Sequence, residues 1–486
     1  MLVEKSIHVS LLSGRSLTVK VHPELLVLDL IHQAEDEFNL HISAVLNQTG
    51  EKLLGSSTLR AAQLSDGDTV TACISPLPAV AGCRWEGRAF AAIQPPGMVL
   101  AWGSSSHGGN GDEVADHLHS VRQIQRTTGA FAALRKDGRV VTWGSKFCGG
   151  HSEAVQDELR DVRRIQATNA AFAAIRQDGH VVTWGYEYFG GDSGNVTDRL
   201  HGVAEIAASS GAFAAILQGS GRVVAWGAVD SGGDTTKVQQ ELVDVQQIQA
   251  TACAFAAIRR DGSVVTWGDP SSGGDSSAVR QQLQGVQEIQ ASNNAFAAIC
   301  KDGTVVSWGA KETGGDQRTV QDQLQDVQEI QATRYAFAAI CGATRRVVTW
   351  GASRHGGEGP GALRGVRQIQ SSKGAFAAIL EDGGVMTWGH ARHGGDSSNV
   401  QHQLYGVQQI QASSRAFAAL RDDGRIVTWG NHHEGGDSSY VQDQLYGVQA
   451  IQSSFRAFVA ICDDGRLVSW GQADAGGQCP VRFGYP

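Results

Sequence analysis

The residues of this sequence best suited to chemistry are histidines and arginines that recur in three segments about 40 residues apart. Imidazoles from neighbouring segments could bind a transition metal, or could form a patch whose positive charge grows below about pH 6.5. A metal-bound histidine usually needs a carboxylate or carbonyl partner, and only Glu434 is at hand. We therefore expect no metal site, which leaves a basic contact patch or no role. The residues are Arg354, His355, His390, Arg392, His393, His432 and His433.

Two further motifs have the letters of a functional site without its chemistry. Gly190 to Asn195 reads GGDSGN, as around serine-protease nucleophiles, but other segments read GGDSS there, so Ser193 is a repeat position. An aspartate follows the Gly-Gly pair in six of the repeats, at Asp192, Asp234, Asp275, Asp316, Asp396 and Asp437. One carboxylate in a repeat supplies too few oxygen ligands for calcium, and it suits the cap of a short helix. No phosphate-binding or dinucleotide-binding loop is present. We predict no catalytic residue and no cofactor.

The bulk composition narrows the class of protein. A formal net charge of −9 opposes binding to nucleic acid, and no apolar run approaches the length of a membrane span. The N-terminal residues alternate polar and apolar instead of forming the apolar core of a signal peptide. The eight cysteines form no CxxC pair, and three of them fill the same position of a repeat. We expect a cytoplasmic protein, with the nucleus as the other compartment.

A regular array positions the residues described above. The phenylalanine of a motif close to AFAAI recurs at steps of 39 to 42 residues, and a tryptophan follows it twelve or thirteen residues later. Such a period is the signature of a repeat architecture. The phenylalanines are Phe90, Phe131, Phe172, Phe213, Phe255, Phe296, Phe337, Phe376, Phe417 and Phe458, and the tryptophans are Trp102, Trp143, Trp184, Trp226, Trp267, Trp308, Trp350, Trp388, Trp429 and Trp470.

Each repeat is predicted to form three short antiparallel strands, which we name A (as in QEIQA), B (AFAAI) and C (VVTW). Asp-Gly usually joins strands B and C, and it is a strong hairpin signal. Both faces of strand B are apolar, so each sheet must be covered by its neighbours, as a propeller blade is. We expect the glutamine near the end of strand A to be buried and bonded to the backbone of the next blade. The sequence predicts a mainly β fold, a β-propeller-like array of ten repeats, with a right-handed β-solenoid as the alternative.

The stretch DGRVVTWG, followed by a glycine-rich loop and a V..I.A....F.AI pattern, resembles the propeller repeat of the regulator-of-chromosome-condensation family. The period is most similar to the compact repeats of a β-lactamase-inhibitory protein of that superfamily, and the resemblance covers about residues 80 to 471. Family members usually close with seven blades. Ten repeats leave open one wide ring, seven blades with three extra units, or an open spiral. The resemblance also implies an alternative function, guanine-nucleotide exchange on a small GTPase.

Residues 1–76 lie outside the array and predict a small α+β domain. A hairpin, a helix with Val27, Ile31, Ala34 and Phe38 on one face, and later strands resemble a ubiquitin-like β-grasp domain. No di-glycine ends this segment, and residues 77–79 lead directly into the repeats at 80–486, so use as a conjugated modifier is not expected. The strand that would centre ubiquitin's apolar patch reads Leu-Asn-Gln. The resemblance nevertheless implies ubiquitin-pathway proteins as partners of this domain.

Variable letters collect after strand C and between strands A and B. Strand direction reverses at each hairpin, so these two loops are predicted to share one end of every blade. A rigid scaffold with one diversified rim is typical of a binding face, and unconstrained drift is the alternative. We expect a non-enzymatic scaffold or adaptor that binds protein partners through this rim. The predicted contact residues are Tyr186, Tyr188, Phe189, Tyr335, Arg354, His355, Arg392, His393, His432 and His433.

Overall fold

The structure is a computed structural model. It describes residues 5–479 except 12–15, 23–24, 26, 39–41, 49–52, 54–57, 61, 63, 75–78, 82–87 and 95–96. The chain divides into two compact units, Met1–Pro78 and Ala79–Pro486. The predicted hairpin turn at 13–15 and residues 77–78 of the predicted linker lie outside the described residues. Within the described ranges, no helix is long and apolar enough to cross a membrane.

The first unit has the β-grasp arrangement. Its strands are β1 (Lys5–Leu11), β2 (Ser16–Val21), β3 (Ile42–Leu46) and β4 (Thr69–Ile74), and α1 spans Val27–Phe38. The sheet order is β2-β1-β4-β3, with β1 and β4 parallel and the other two pairs antiparallel. The predicted helix face is confirmed at three positions, because Val27, Ile31 and Ala34 are buried against the sheet. The side chain of Phe38 lies outside the described residues.

The second unit consists of ten three-stranded antiparallel sheets, one for each repeat, as the sequence predicts. In each sheet strand B lies between A and C, so no strand is exchanged between repeats. The A strands are Ala79–Ala81, Val121–Arg126, Val162–Ala167, Val203–Ala208, Val245–Ala250, Val286–Ala291, Val327–Ala332, Val366–Ser371, Val407–Ala412 and Val448–Ser453. The B strands are Ala89–Gln94, Ala130–Arg135, Ala171–Arg176, Ala212–Leu217, Ala254–Arg259, Ala295–Cys300, Ala336–Cys341, Ala375–Leu380, Ala416–Arg421 and Ala457–Cys462.

After strand C, each chain segment forms a 3-10 helix of three residues, which we name the rim helix. The C strands are Met98–Gly103, Val140–Gly144, Val181–Gly185, Val223–Gly227, Val264–Gly268, Val305–Gly309, Arg346–Gly351, Val385–Gly389, Ile426–Gly430 and Leu467–Gly471. The rim helices are Ser105–His107, Lys146–Cys148, Glu187–Phe189, Val229–Ser231, Pro270–Ser272, Lys311–Thr313, Ser353–His355, Ala391–His393, His432–Glu434 and Ala473–Ala475. In seven repeats a second 3-10 helix follows, at Asp112–His117, Glu153–Val155, Gly194–Arg199, Ser277–Val279, Gln321–Gln323, Ser398–Gln403 and Ser439–Gln444.

An aspartate follows the Gly-Gly pair in six repeats, and its carboxylate accepts the backbone N–H of the residue two positions later. It does not occupy the predicted helix-cap position, because the N-cap residue of the fifth repeat is Ser276. In the fifth repeat the Asp275 carboxylate accepts the backbone N–H of Ser277 at 2.9 Å, and Leu283 is buried beneath. The element is a 3-10 turn and not an α-helix. The strand-A glutamines are less buried than predicted. Gln290 is half-buried and donates to the Glu288 side chain of its own strand at 2.8 Å, because strand A lines the axis of the ring and not a closed core.

A phenylalanine and a tryptophan form the core of every repeat. Phe131 of strand B is fully buried and stacks on Trp143 of strand C, with ring centroids 5.1 Å apart. The Trp143 indole N–H donates to the carbonyl of Gly108, which ends the rim helix of the preceding repeat, at 2.9 Å. The alanines on the other face of strand B are small enough for the next sheet to approach closely. Each repeat is therefore joined to the one before it by the same hydrogen bond from tryptophan to glycine, which we name the tryptophan lock.

The ten repeats close into one ring, which decides between the three arrangements that the sequence left open. The first tryptophan, Trp102, donates to the carbonyl of Gly476, at the end of the last rim helix, at 2.9 Å. Phe90 packs against the same glycine and is fully buried. The last repeat thus forms with the first the contact that every other pair forms. A seven-plus-three arrangement, an open spiral and a β-solenoid would each leave Phe90 and Trp102 exposed.

Replacing Gly476 by alanine tests this closure. Gly476 has φ +91° and a Cβ there would overlap the Phe90 ring, so we expect Gly476→Ala to cost about 2–4 kcal/mol of unfolding free energy. The control is Gly219→Ala, where φ is +74° and nothing lies within 4 Å, so only the left-handed backbone costs, about 1 kcal/mol. Denaturant titration compares the two variants. Equal losses would show that the ring is open at this seam.

Candidate partner-binding rim

Both variable segments of a repeat lie at the same end of the blade. In the second repeat, the N–H of Ser145 at the start of the rim helix donates to the carbonyl of Gly129, between strands A and B, at 2.8 Å. The Asp-Gly turn is at the other end, where Gly138 accepts the N–H of Val162 in the next repeat at 2.9 Å. In the second to tenth repeats three residues separate strands A and B, and we name these three residues the tip. Rim helices and tips together form the rim.

The first residue of each tip is a serine or threonine, and its hydroxyl fixes the tip to the rim helix. The Thr127 hydroxyl accepts the N–H of Ala130 at 3.0 Å and donates to the carbonyl of Cys148 at 2.8 Å. The same donation to the last residue of the rim helix occurs in the following eight repeats. The first residue of the tip therefore holds the rim helix in place and does not form part of the variable binding surface.

The second residue of each tip lies around the axis of the ring. Its backbone N–H donates to the carbonyl of the second tip residue in the next repeat, which gives eight consecutive hydrogen bonds of 2.9 to 3.2 Å. These residues and their neighbours surround a cavity of about 400 Å³. The second tip residues are Thr128, Asn169, Ser210, Ala252, Asn293, Arg334, Lys373, Ser414 and Phe455.

The third tip residue packs against the last residue of the rim helix. Their sizes are complementary: the large Phe189 lies against Gly211, whereas Gly374 leaves room for two imidazoles, since a Cβ there would lie 2.5 Å from Nδ1 of His393 and 2.6 Å from Cδ2 of His355. Asn294 instead donates to the Ser272 hydroxyl at 2.8 Å. Variation at these two positions is therefore coupled packing between repeats.

In the ninth repeat, the last residue of the rim helix and the third tip residues beside it are charged, and they form ion pairs. Glu434, the last residue of its rim helix, is buried and accepts a hydrogen bond from the Ser414 hydroxyl. Arg415 of the same tip and Arg456 of the next tip each lie 3.6 Å from Glu434. A buried carboxylate needs such partners, because burial without them would be costly. The acid that the sequence offered as a metal partner is thus engaged by arginines.

Four predicted contact residues occupy the coupled positions and are half-buried, and six point outward. Phe189, His355 and His393 end rim helices, and Tyr335 is a third tip residue. The first two residues of a rim helix are exposed in all ten repeats, whereas the third is half-buried or buried. The outward residues are Tyr186, Tyr188, Arg354, Arg392, His432 and His433. Sequence periodicity could not separate these two sets, because both vary.

The structure brings together three of the predicted histidines and separates the others. His390 and His393 stack with centroids 4.4 Å apart, His355 lies 5.8 Å from His390, and Tyr335 lies 4.6 Å from His355. His432 instead lies 3.8 Å from Asp437, on the outside of the rim. Among the described residues no group of side chains is arranged to hold a metal ion.

Burial and neighbouring basic groups lower the pKa of two histidines of this cluster. Burial, His390 and Arg415 lower the pKa of His393 to about 4. Burial lowers the pKa of His355 as well, and His390 and Lys373 add to the effect. His355 and His393 therefore favour the neutral form at neutral pH, and the arginines and the lysine supply positive charge to this part of the rim.

Two exposed apolar residues were missing from the sequence-based set. Phe147 and Val229 are 78% and 68% exposed. They lie in the rim helices on either side of the one that carries Tyr188, which is 55% exposed. Both residues occupy one of the first two rim-helix positions, and only the structure shows that these positions are the exposed ones. Tyr188 also donates a hydrogen bond to the Asp230 carboxylate of the next repeat at 3.2 Å.

No protein-family model and no curated protein matches the sequence. Prp20p from Saccharomyces cerevisiae is similar at 15% identity over 69% of this chain and 81% of that chain, with a TM-score of 0.34. The CRINKLY WD40 ectodomain of the Arabidopsis thaliana receptor kinase ACR4 is similar at 16% identity over 54% of this chain and 93% of that chain, with a TM-score of 0.31.

The first unit has its own similar structures. The ubiquitin-like domain of Plasmodium falciparum Dsk2 is 20% identical, over 15% of this chain and 100% of that chain, with a TM-score of 0.14.

Lowering the pH should destabilise the ring through His393. The pKa of this imidazole is lowered in the folded state, so the unfolded chain binds more protons between about pH 6.5 and 4, and stability falls as pH falls through that window. After a discount for partial exposure, we expect a loss of about 1 kcal/mol from pH 7 to pH 5. His393→Gln should remove this part of the dependence in denaturant titrations, and His433→Gln, at an exposed position, should not. An unchanged dependence in His393→Gln would contradict the assignment.

Proposed function

We propose that this chain is a non-enzymatic scaffold or adaptor that binds a protein partner through one sector of its rim. The observation that carries the proposal is a cluster of exposed apolar side chains on three consecutive repeats. Phe147, Tyr188 and Val229 are 78%, 55% and 68% exposed and occupy successive rim helices, and Tyr186 is 48% exposed beside them. We name these four residues the apolar sector.

The energetics of exposure support a binding role for the apolar sector. Large apolar side chains grouped on one surface stay in contact with water at a cost that a partner would remove, and aromatic residues are enriched at the centres of interfaces. Their backbone is held by the hydroxyl of each tip and the tryptophan lock beneath, so little ordering entropy is lost on binding. Other exposed aromatics serve the ring itself: Tyr405, for example, covers the Arg421 guanidinium at 3.7 Å.

The first unit gives the proposed adaptor a second contact, to ubiquitin-pathway proteins. Its β-grasp sheet supports this, but the open face is polar: His8 is exposed and bonds the Thr18 hydroxyl at 2.8 Å. We therefore propose that this unit is recognised through polar contacts and not through an apolar patch like that of ubiquitin. Residues 1–78 expressed alone should capture such proteins, and capture only by residues 79–486 would overturn this part.

Polar substitution of the apolar sector tests the main proposal. We expect Phe147→Ser, Tyr188→Ser and Val229→Ser together to abolish capture of the ring's principal partner, because their side chains lose the apolar area to be buried. The control replaces Met98 and Met386 by serine, at exposed strand-C positions away from the rim helices. Affinity capture with quantitative mass spectrometry compares both variants with the unchanged chain. Equal capture by all three proteins would refute the sector as the binding site.

A nucleotide-release assay distinguishes the scaffold from the alternative of guanine-nucleotide exchange. Exchange requires a surface that opens a nucleotide site, and the ten rim helices, each three residues long, carry no large insertion. We expect nucleotide release from a panel of small GTPases to be unchanged by the chain. If the chain accelerates nucleotide release and the triple-serine variant does not, the chain is an exchange factor and the scaffold proposal is wrong.

A further inference from the structure

We propose that the rim carries a second binding site, for an acidic polypeptide segment, formed by Arg334, Arg354, Lys373 and Arg392 at the mouth of the axial cavity. This inference rests on the proposed use of the rim as a binding face. The second site uses different residues from the apolar sector and binds a ligand of defined chemistry, so an experiment can disprove either site without the other.

The seventh and eighth repeats concentrate positive charge. Arg334 and Lys373 are the second residues of their tips, and Arg354 and Arg392 are exposed residues of their rim helices. Residues 333–335, 352–355, 372–374 and 390–393 contain four lysines or arginines and no aspartate or glutamate, in a chain whose net charge is −9. A local field of one sign on an otherwise acidic protein selects ligands of the opposite sign and steers their approach.

The cavity offers a place for such a ligand. Its volume is about 400 Å³, and its wall is made mostly of alanine, serine and threonine side chains from nine repeats. The charged residues of the described wall are Arg126, Arg334 and Lys373, all of them cations. A wall of small side chains leaves room for an extended chain, and carboxylates are the groups that arginine binds with paired hydrogen bonds.

The histidines beneath the site are consistent with this polarity. Burial and, after it, neighbouring basic groups lower the pKa of His355 and of His393, so these two imidazoles add little positive charge to the site at neutral pH. Nδ1 of His393 is buried and has no hydrogen-bond partner among the described residues.

We name Arg334, Arg354, Lys373 and Arg392 the basic sector, and the ninth repeat marks its edge. There Arg415 and Arg456 flank the buried Glu434, so their charge is matched within the ring. An acidic side chain in a comparable position thus already has two arginines of this rim around it, which shows that the blade spacing suits a carboxylate. The proposed ligand would bring its own carboxylates to the two preceding repeats.

A polypeptide fits better than a nucleic acid. The basic sector spans two of ten repeats, whereas a nucleic acid needs a continuous track of cations. Tyr335, half-buried at the edge of the sector, adds an apolar surface that an acidic peptide can use.

Binding of labelled peptides to the full chain tests the proposal. Fluorescence anisotropy would measure the affinity of an octaglutamate peptide, an octaglutamine peptide and an eight-nucleotide single-stranded DNA. We expect the octaglutamate to bind best, with an affinity that falls as salt is raised. Arg354→Glu with Arg392→Glu should weaken it by about tenfold or more. Folding of each variant would be verified by its thermal unfolding midpoint.

The control reverses two other exposed arginines, Arg318→Glu and Arg425→Glu, so that the net charge changes equally. We expect this control to weaken octaglutamate binding by less than about twofold. Equal weakening in both variants, no octaglutamate binding, or tighter binding of the DNA would each overturn the acidic-segment site. Partner capture by the apolar sector is read in the same variants. Its persistence without peptide binding would remove this site alone.

Discussion

A single hydrogen bond, made once in each repeat, holds the ring together. The indole N–H of each strand-C tryptophan donates to the carbonyl of the glycine that ends the preceding rim helix, at 2.9 to 3.2 Å. That glycine has a left-handed φ, which turns its carbonyl toward the indole, and it has no Cβ, which leaves space for the phenylalanine stacked on the same indole. This contact sets the position of each blade relative to the next. The ring closes because Gly476, the glycine that ends the last rim helix, packs against Phe90 of the first repeat.

The tryptophan–glycine hydrogen bond fixes the position of the rim helix, and the variable residues around that helix therefore have different roles. A hydroxyl in each tip holds the rim helix, the next tip residue lines the axis, and the third pairs with the end of the rim helix in size or charge. Pairs such as Phe189 with Gly211, or Glu434 with two arginines, show that inner variation is constrained by neighbours. The outward residues have no such constraint, so a binding surface can change there without loss of packing.

The two proposed binding sectors lie on opposite sides of the axis. The apolar sector is centred on the third repeat and the basic sector on the seventh and eighth, four to five repeats away in a ring of ten. A partner that used both would need an apolar surface and an acidic segment separated by the width of the cavity mouth. A propeller with fewer blades would bring these chemistries closer together, so the number of repeats determines which partners can use both.

The repeat, its three strands, the hairpin turns and the β-grasp unit could all be predicted from the sequence, because they depend on local periodicity and turn chemistry within each segment. The sequence also indicated which end of a blade varies. Closure did not follow from it, because the contact between Gly476 and Phe90 joins residues almost four hundred positions apart and has the same local letters as the other nine contacts. The division of the rim into packed and exposed residues was equally hidden, since His393 and Arg392 are neighbours in the chain and differ only in which of them faces the next repeat. Tertiary structure decided both questions, because each depends on what a neighbouring repeat places beside a residue.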